Sequence, residues 1–384
     1  MPEIAAGKNS RLLLFLPLAH VFARFLQVFQ ISGNGVLGHA SNIKNLLGDL
    51  ASFRPSYLLV VPRVLEKIYN SADTKASGPK RKIFRWAAKV AIAYSQALDT
   101  EEGPSVSLKA QHALADKLVY QQIIRLVGGN ADYIVSGGAP LATWLAHFYR
   151  GVGIPVLEGY GLTETVGPVS VNTPRLSKIG TVGPALPPMS FKISDEGEIL
   201  LKGPSVFQRY HNNPEATAAC FTDDGWFRTG DLGELDKDGW LYIKGRLKNM
   251  IVGPGGENIY PEDIETVLNS HVCIADSIVT EQEGRLIALV HFNREEIESM
   301  IDDWREEWET KKEAWEAKTE QLKKEIMDFV NAKVNRFSRI SEVVEEKDDF
   351  AKTPTHKIKR FLYNRSKDND KPQREQPAGK PETK

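Results

Sequence analysis

The sequence predicts an α/β fold: a partial α/β large domain with a small antiparallel β subdomain, followed by an α+β C-terminal domain. Three observations predict it. Through about residue 165, short apolar runs of strand length alternate with helical segments. After Pro174 come short alternating segments, split by the turns Asp195-Glu196-Gly197 and Asp236-Lys237-Asp238-Gly239. Beyond residue 275, strand-like runs lead into a long, heavily charged helical stretch.

The 384 residues are enough for two or three domains. A net charge of −1 gives no overall electrostatic bias toward nucleic acid, so no nucleic-acid partner is expected. Cys220 and Cys273 lie far apart, which suggests reduced thiols in a cytoplasmic protein rather than a disulfide scaffold or a Cys-rich zinc site.

Residues 1–10 are polar and unpatterned. Leu12–Leu16 reads as a buried strand, because Pro17 and His20 interrupt it long before it could cross a bilayer. So early a buried strand needs neighbours to pair with. Gly33-Asn34-Gly35-Val36-Leu37-Gly38 matches G-x-G-x-x-G, but a helical segment precedes it, so a glycine-rich turn is the better reading than a dinucleotide fingerprint. Residues 41–54 suggest a helix with Ser41 as its cap, Tyr57–Val61 a buried strand, and Arg63–Ser71 a further helix.

Residues 80–98 form an amphipathic helix with Ile83, Ala87, Val90 and Tyr94 on one face and Lys82, Arg85 and Lys89 on another. That pattern fits a solvated face over a core stripe, and it also fits peripheral contact with a membrane surface. Ala131–Val135 reads as a strand running into the small-residue turn Ser136-Gly137-Gly138-Ala139-Pro140-Leu141, with a helix at Thr143–Arg150.

Ile154–Leu157 reads as a buried strand ending in a glycine turn. It leads into Tyr160-Gly161-Leu162-Thr163-Glu164, an aromatic ring, a hydroxyl and a carboxylate within five residues. Such a set could serve a nucleotide: a ring for the base, a donor for phosphate, an anion for Mg²⁺. Taken alone it reads better as a loop with Thr163 as a helix cap.

The β subdomain carries Trp226-Phe227-Arg228-Thr229-Gly230-Asp231. Gly245-Arg246-Leu247-Lys248-Asn249 follows, then the glycine-rich loop Gly253–Asn258 and a helix opened by Pro261. Between 295 and 334 a helical insert sets Ile301, Trp304, Trp308, Trp315 and Leu322 on one stripe, with Glu307/Lys311 and Glu320/Lys324 as i,i+4 pairs. Residues 366–384 are polar and proline-rich, as in a disordered tail.

Taken together these stretches resemble the adenylate-forming superfamily, and within it the long-chain fatty acid–CoA ligases. The resemblance runs from residue 12 to about 363. It rests on the ordered set Leu-Pro-Leu-Ala-His, Ser-Gly-Gly-Ala-Pro-Leu, Tyr-Gly-Leu-Thr-Glu, Thr-Gly-Asp, Gly-Arg-Leu-Lys-Asn and Lys-Thr-Pro-Thr-x-Lys. It implies ATP-dependent activation of a long-chain fatty acid through an acyl-adenylate to acyl-CoA, with ATP/AMP, Mg²⁺ and coenzyme A as cofactors and substrates.

By that resemblance Tyr160 stacks on adenine, and Gly138 and Ala139 line its other side. Gly161 belongs to the same nucleotide motif. Thr163 bonds a phosphate, and Glu164 holds Mg²⁺. Asp231 accepts the ribose hydroxyls, Arg246 donates to the ribose, and His20 lies near the acyl carboxylate. Lys357 matches the lysine that bridges the acyl carboxylate and the α-phosphate. Lys248 matches the hinge of a mobile C-terminal lid domain, and Gly256 the loop that approaches the thiol.

The implied domains are a nucleotide- and acyl-binding subdomain at 1–175, the small β subdomain at 176–247 and the lid domain at 248–365. Two departures stand out. His356 occupies the place of the glycine usual before the mobile lysine. The Ser/Thr/Gly-rich phosphate loop ending in Pro-Lys-Gly is absent from these residues. The expectation is therefore a fragment of such a ligase, or a chain that works with a missing N-terminal polypeptide. A non-catalytic nucleotide- or acyl-binding remnant, or a ligase using another acid or acceptor, are the alternatives.

Overall fold

The structure, a computed structural model, describes residues 10–40, 42, 45–76, 78–294, 297, 308–352 and 358–363. Ser41, Ile301, Trp304, His356, Lys357 and the 366–384 tail lie outside the described residues. The chain divides into two compact units, Met1–Asn249 and Met250–Lys384.

The first unit is built on a six-stranded sheet. Its strands are β1 (Arg11–Leu14), β2 (Val36–His39), β3 (Tyr57–Val60), β4 (Tyr133–Ser136), β5 (Val156–Leu162) and β6 (Gly167–Val171). The order is β2-β1-β3-β4-β5-β6, with parallel pairing except between β5 and β6. The central strands are buried on both faces, so they read as unbroken apolar runs rather than alternating ones.

One face packs on the helices α1 (Val21–Ser32) and the other on α2 (Leu46–Phe53), α3 (Pro62–Lys75), α4 (Pro79–Ala97), α5 (Val106–Ala115), α6 (Gln121–Leu126) and α7 (Thr143–Val152). The α4–α7 contact is close: a Cβ on Gly151 would stand 2.1 Å from the Ala91 carbonyl oxygen, so only glycine fits. Asp73, 4% exposed, is bound by Arg81 and Arg85 at 3.0 and 2.9 Å, which ties α3 to α4.

Three details differ from the sequence reading, while the glycine-rich turn it favoured is present and runs into a strand. The buried stripe of α4 is led by Phe84, with Ala87, Ala88, Ala91 and Ser95, while Ile83 is 41% exposed. The helix expected at 41–54 spans Leu46–Phe53, preceded by Asn45. The glycine-rich stretch after α1 is a turn followed by the edge strand β2. Gly35 is required there because the buried Gln30 amide lies against it; Gln30 also bonds the Ser10 and Val36 carbonyls and the Tyr57 hydroxyl.

Finally, Gly159-Tyr160-Gly161 is not a turn. It is extended strand, because β6 pairs with it antiparallel, Gly159 opposite Val171 and Tyr160 opposite Ser170. The turn comes later, at Thr163–Thr165, where Thr165 Oγ1 accepts from the Leu162 amide at 2.9 Å and donates to the Gly167 carbonyl at 2.9 Å.

The rest of this unit is a four-stranded antiparallel sheet of β7 (Ser190–Ile193), β8 (Glu198–Lys202), β9 (Phe227–Leu235) and β10 (Leu241–Arg246), in the order β10-β9-β8-β7, with α8 (Pro214–Ala219) in the β8–β9 connection. In the second unit, β11 (Ile251–Val252) and β12 (Asn258–Ile259) form a small hairpin before α9 (Pro261–Asn269). A three-stranded sheet follows from β13 (Ile274–Gln282), β14 (Arg285–Phe292) and β15 (Glu342–Glu345). Against it packs α10 (Trp308–Asn331), through Leu322, Ile326 and Val330. On α10 Glu320 pairs with Lys323, one residue short of the expected Lys324. No helix among the described residues is long and apolar enough to cross a membrane.

The division after Asn249 predicts where the chain is most easily nicked. Limited proteolysis is expected to cut first within 246–256, releasing two protease-resistant pieces. Cleavage scattered over both units, or none, would contradict two independently folded units.

Candidate active site

Toward the carboxyl end of β5, Tyr160 meets Asp231 on β9, an inner strand of the small sheet. This carboxylate is 4% exposed. Its Oδ2 accepts the Tyr160 hydroxyl at 2.6 Å, and its Oδ1 faces Arg246 Nε at 2.6 Å. Arg246 is the register partner of Asp231 across β9–β10. A buried carboxylate is costly unless its oxygens are satisfied, and here one charged and one neutral donor do so. Burial first, and then the Asp231 charge, push the Tyr160 hydroxyl well above its ordinary value. It therefore stays a phenol, and donates.

The local sequence explains how Asp231 is aimed. Between β8 and β9 the register shifts: Glu198 lies opposite Leu232, but Leu200 lies opposite Arg228, so Thr229-Gly230-Asp231 bulges. Gly230 takes φ +68 there. Glu198 pins the bulge, accepting the Gly230 amide at 2.9 Å and Arg228 Nη1 at 3.1 Å. Thr229 Oγ1 accepts the Asp231 amide at 3.0 Å and donates to the Ile199 carbonyl at 2.7 Å. Sequence reasoning missed Glu198 and Thr229 as supports. Their signal, a buried acid facing a glycine bulge, lies in pairing that one strand does not reveal.

The small-residue turn stands beside the same motif. Ser136 is the register partner of Glu158. A Cβ on Gly137 would lie 3.3 Å from the Gly159 carbonyl oxygen and 3.2 Å from the Phe22 ring. Gly138, at φ +83, and Ala139 follow at the exposed surface. Phe22 belongs to α1, which His20 precedes as its N-terminal flanking residue, so His20 comes to this end of the sheet too. Gly161 is a steric requirement: a Cβ there would lie 2.2 Å from the Gly167 carbonyl oxygen.

Thr163 and Glu164 continue directly from β5. Glu164 Oε1 accepts the Tyr210 hydroxyl at 2.9 Å, and its carbonyl accepts the Phe207 amide at 2.8 Å. Among the described residues no group of three or more His, Cys, Asp or Glu side chains could hold a metal. One carboxylate beside one hydroxyl is nevertheless the donor set that suits Mg²⁺ held mainly by phosphates and water. Lys248 lies two residues beyond Arg246, exposed, in a short turn of helix. Gly256 lies in the second unit, at φ +86 in the β11–β12 hairpin, and Lys357 lies outside the described residues.

Glu158 was not singled out from sequence as a site residue. Burial pushes its carboxyl up to about 8, opposed by a hydrogen bond from the Leu141 amide. Beside it, Ser136 Oγ is buried without a hydrogen-bond partner among the described residues. An acid whose pKa rises on folding, from 4.5 to about 8, favours the folded state fully below pH 4.5 and loses that contribution as pH climbs to 8. Glu158→Gln is therefore expected to flatten the decline of stability between pH 5 and 8 and to gain up to about 4 kcal/mol at the upper end. Parallel pH profiles for the two proteins would contradict the assignment.

The family model for AMP-binding enzymes matches residues 2–211. A long-chain-fatty-acid–CoA ligase, FadD15 of Mycobacterium bovis, is 47% identical over 273 residues, covering 71% of this chain and 45% of its own. Long chain acyl-CoA synthetase 3 of Arabidopsis thaliana is 34% identical, covering 74% of this chain and 45% of its own. The chain thus spans under half the length of these relatives.

Among solved structures, o-succinylbenzoate CoA synthetase from Bacillus subtilis, in complex with its acyl-adenylate intermediate, shares the fold at a TM-score of 0.63 and 21% identity. That match covers 95% of this chain and 62% of that one. ATP-bound MatB from Rhodopseudomonas palustris does so at 0.62 and 22%, covering 93% and 60%. With the family model matching more than half of its residues, this chain belongs to the AMP-binding enzyme family, the adenylate-forming enzymes.

Proposed function

We propose that this chain carries the adenylate- and thiol-handling part of an AMP-forming long-chain fatty acid–CoA ligase. The observation that carries the reading is the Tyr160–Asp231–Arg246 cluster, a buried carboxylate between two donors toward the carboxyl end of β5. Crevices at such strand ends are where open α/β sheets bind ligands. The relatives' names supply the acid and the acceptor.

In the first half-reaction a carboxylate oxygen of the fatty acid attacks the α-phosphorus of ATP. The bond to the bridging oxygen breaks, pyrophosphate leaves and the acyl-adenylate stays. In the second, the thiol of coenzyme A loses its proton, its sulfur bonds the acyl carbon, and AMP leaves. Positioning and charge stabilisation are most of what a protein contributes to such transfers. A carboxylate has two oxygens suited to a vicinal diol, and Asp231 is read as the acceptor of the ribose hydroxyls. Tyr160, Gly161, Gly138 and Ala139 form the adenine site, with Arg246 at the ribose and His20 near the acyl carboxylate. Thr163 bonds phosphate. Glu164 would hold Mg²⁺, which when bound neutralises phosphate charge.

Lys357 bridges the acyl carboxylate and α-phosphate during adenylation. Lys248 is the hinge of the lid, and Gly256 serves the thiol step. The end of the first unit at Asn249 supports that hinge. The exposed Lys82, Ile83 and Lys89 on α4 are the surface for peripheral contact with an anionic membrane.

A two-arm assay on purified monodisperse protein tests the reading. Residues 1–384 contain no phosphate-gripping loop of the family type, so pyrophosphate release from ATP and fatty acid should be nearly abolished. Pre-formed acyl-adenylate plus coenzyme A should still yield acyl-CoA. Robust ATP-dependent pyrophosphate release would overturn the first half of this account, and no thioester from supplied adenylate would overturn the second.

In a version that includes an upstream phosphate loop, Lys357→Ala should slow adenylation about 10²–10³-fold and leave the thioester arm much less affected. Equal losses in both arms would refute that division of labour.

A further inference from the structure

We propose that Tyr210 is a positioning residue for Glu164, turning one carboxylate oxygen toward the magnesium ion of a bound nucleotide. The inference rests on the reading of Glu164 given above and deepens it.

Three contacts fix the geometry. The Tyr210 hydroxyl donates to Glu164 Oε1 at 2.9 Å, and among the described residues Oε2 takes no hydrogen bond. The Phe207 amide donates to the Glu164 carbonyl at 2.8 Å, so the segment that carries Tyr210 is clamped to the same residue by main chain as well as side chain. The Tyr210 amide donates to Thr217 Oγ1 at 3.0 Å, and that hydroxyl donates to the Asn213 carbonyl at 2.8 Å, which anchors Tyr210 to the start of α8.

The ring is held as firmly as the backbone. Phe207 packs edge-on to Tyr210 at 4.6 Å between centroids, edge-on to Phe227 at 5.5 Å and nearly parallel to Phe221 at 5.8 Å. The hydroxyl is therefore presented by packed aromatic residues rather than by a free loop.

A glutamate side chain has three rotatable bonds, and fixing one carries an entropic cost. Tyr210 meets that cost before ligand arrives. With Oε1 occupied by a donor, Oε2 is the oxygen left for a hard cation. A single directed oxygen is what Mg²⁺ requires when phosphates and waters supply the rest of its octahedron. A tyrosine some forty residues from the motif carries no sequence mark of this role. It becomes visible only because the β8–β9 connection folds back onto the end of β5.

Calorimetric titration of residues 1–384 tests the proposal. AMP without metal reports the nucleoside site, and ATP with and without MgCl₂ reports the magnesium contribution. In the wild type, magnesium should tighten ATP binding, and Glu164→Gln should remove that gain. Tyr210→Phe keeps the ring and deletes only the hydroxyl. It should lose about tenfold of the gain, the worth of a hydrogen bond to a charged group, with AMP affinity unchanged.

A full magnesium gain in Tyr210→Phe would overturn the role. So would a larger gain, since the hydroxyl would then compete with the metal. Parallel loss of AMP binding would make Tyr210 merely structural, and no magnesium gain in the wild type would remove the premise. Failure of the wild type to bind AMP would instead overturn the nucleotide-site reading itself, which separates the two failures.

Discussion

Toward the carboxyl end of β5 the arrangement depends on how the charge of Asp231 is compensated. Its side chain is almost fully covered, and a carboxylate in that position costs several kcal/mol unless it is paired. Arg246 supplies the opposite charge and Tyr160 the second donor. Removing either would leave a buried oxygen with too few partners. The pairing also joins β5 of the large sheet to β9 and β10 of the small one. It adds to the apolar cluster in which Val169 packs with Ile199, Leu201 and Phe227, and the candidate site lies along that seam.

Steric constraints act in the same place. Gly161 has no room for a Cβ against the Gly167 carbonyl, and Gly137 lies against Gly159 and Phe22. Ser136 Oγ is buried there without a hydrogen-bond partner among the described residues, beside Glu158, whose carboxyl is raised by burial. Buried polar groups of that kind are costly, and they concentrate where a fold gives up stability for a site.

How much of this was legible in the sequence differs by level. The α/β class and the central strands were, because double-sided burial writes itself as apolar runs such as Tyr57–Val60. The motif residues Tyr160, Glu164, Asp231 and Arg246 were legible as an ordered set. The resemblance also implied that Tyr160, Asp231 and Arg246 converge, and they do; the pairing of β9 with β10 and the bulges in both that bring them together were not legible.

Misreadings followed the same logic. Two glycines beside Tyr160 look like a turn until β6 is seen to pair there. Phe84 and Ile83 are adjacent apolar residues, and only the close α4–α7 contact decides which of them is buried. Supports such as Glu198, Thr229 and Tyr210 act through contacts distant in sequence, and single-chain periodicity carries no trace of them.

The claim that Asp231 receives a ribose diol is tested most directly by nucleotide discrimination. Calorimetry on residues 1–384 would compare AMP with 2′,3′-dideoxy-AMP, which keeps the base and phosphate and lacks both hydroxyls. Loss of two hydrogen bonds to a charged acceptor should weaken binding about 10²-fold. Equal affinity for the two nucleotides would contradict the account, because the buried carboxylate at the centre of the site would then contribute nothing to recognising the ribose.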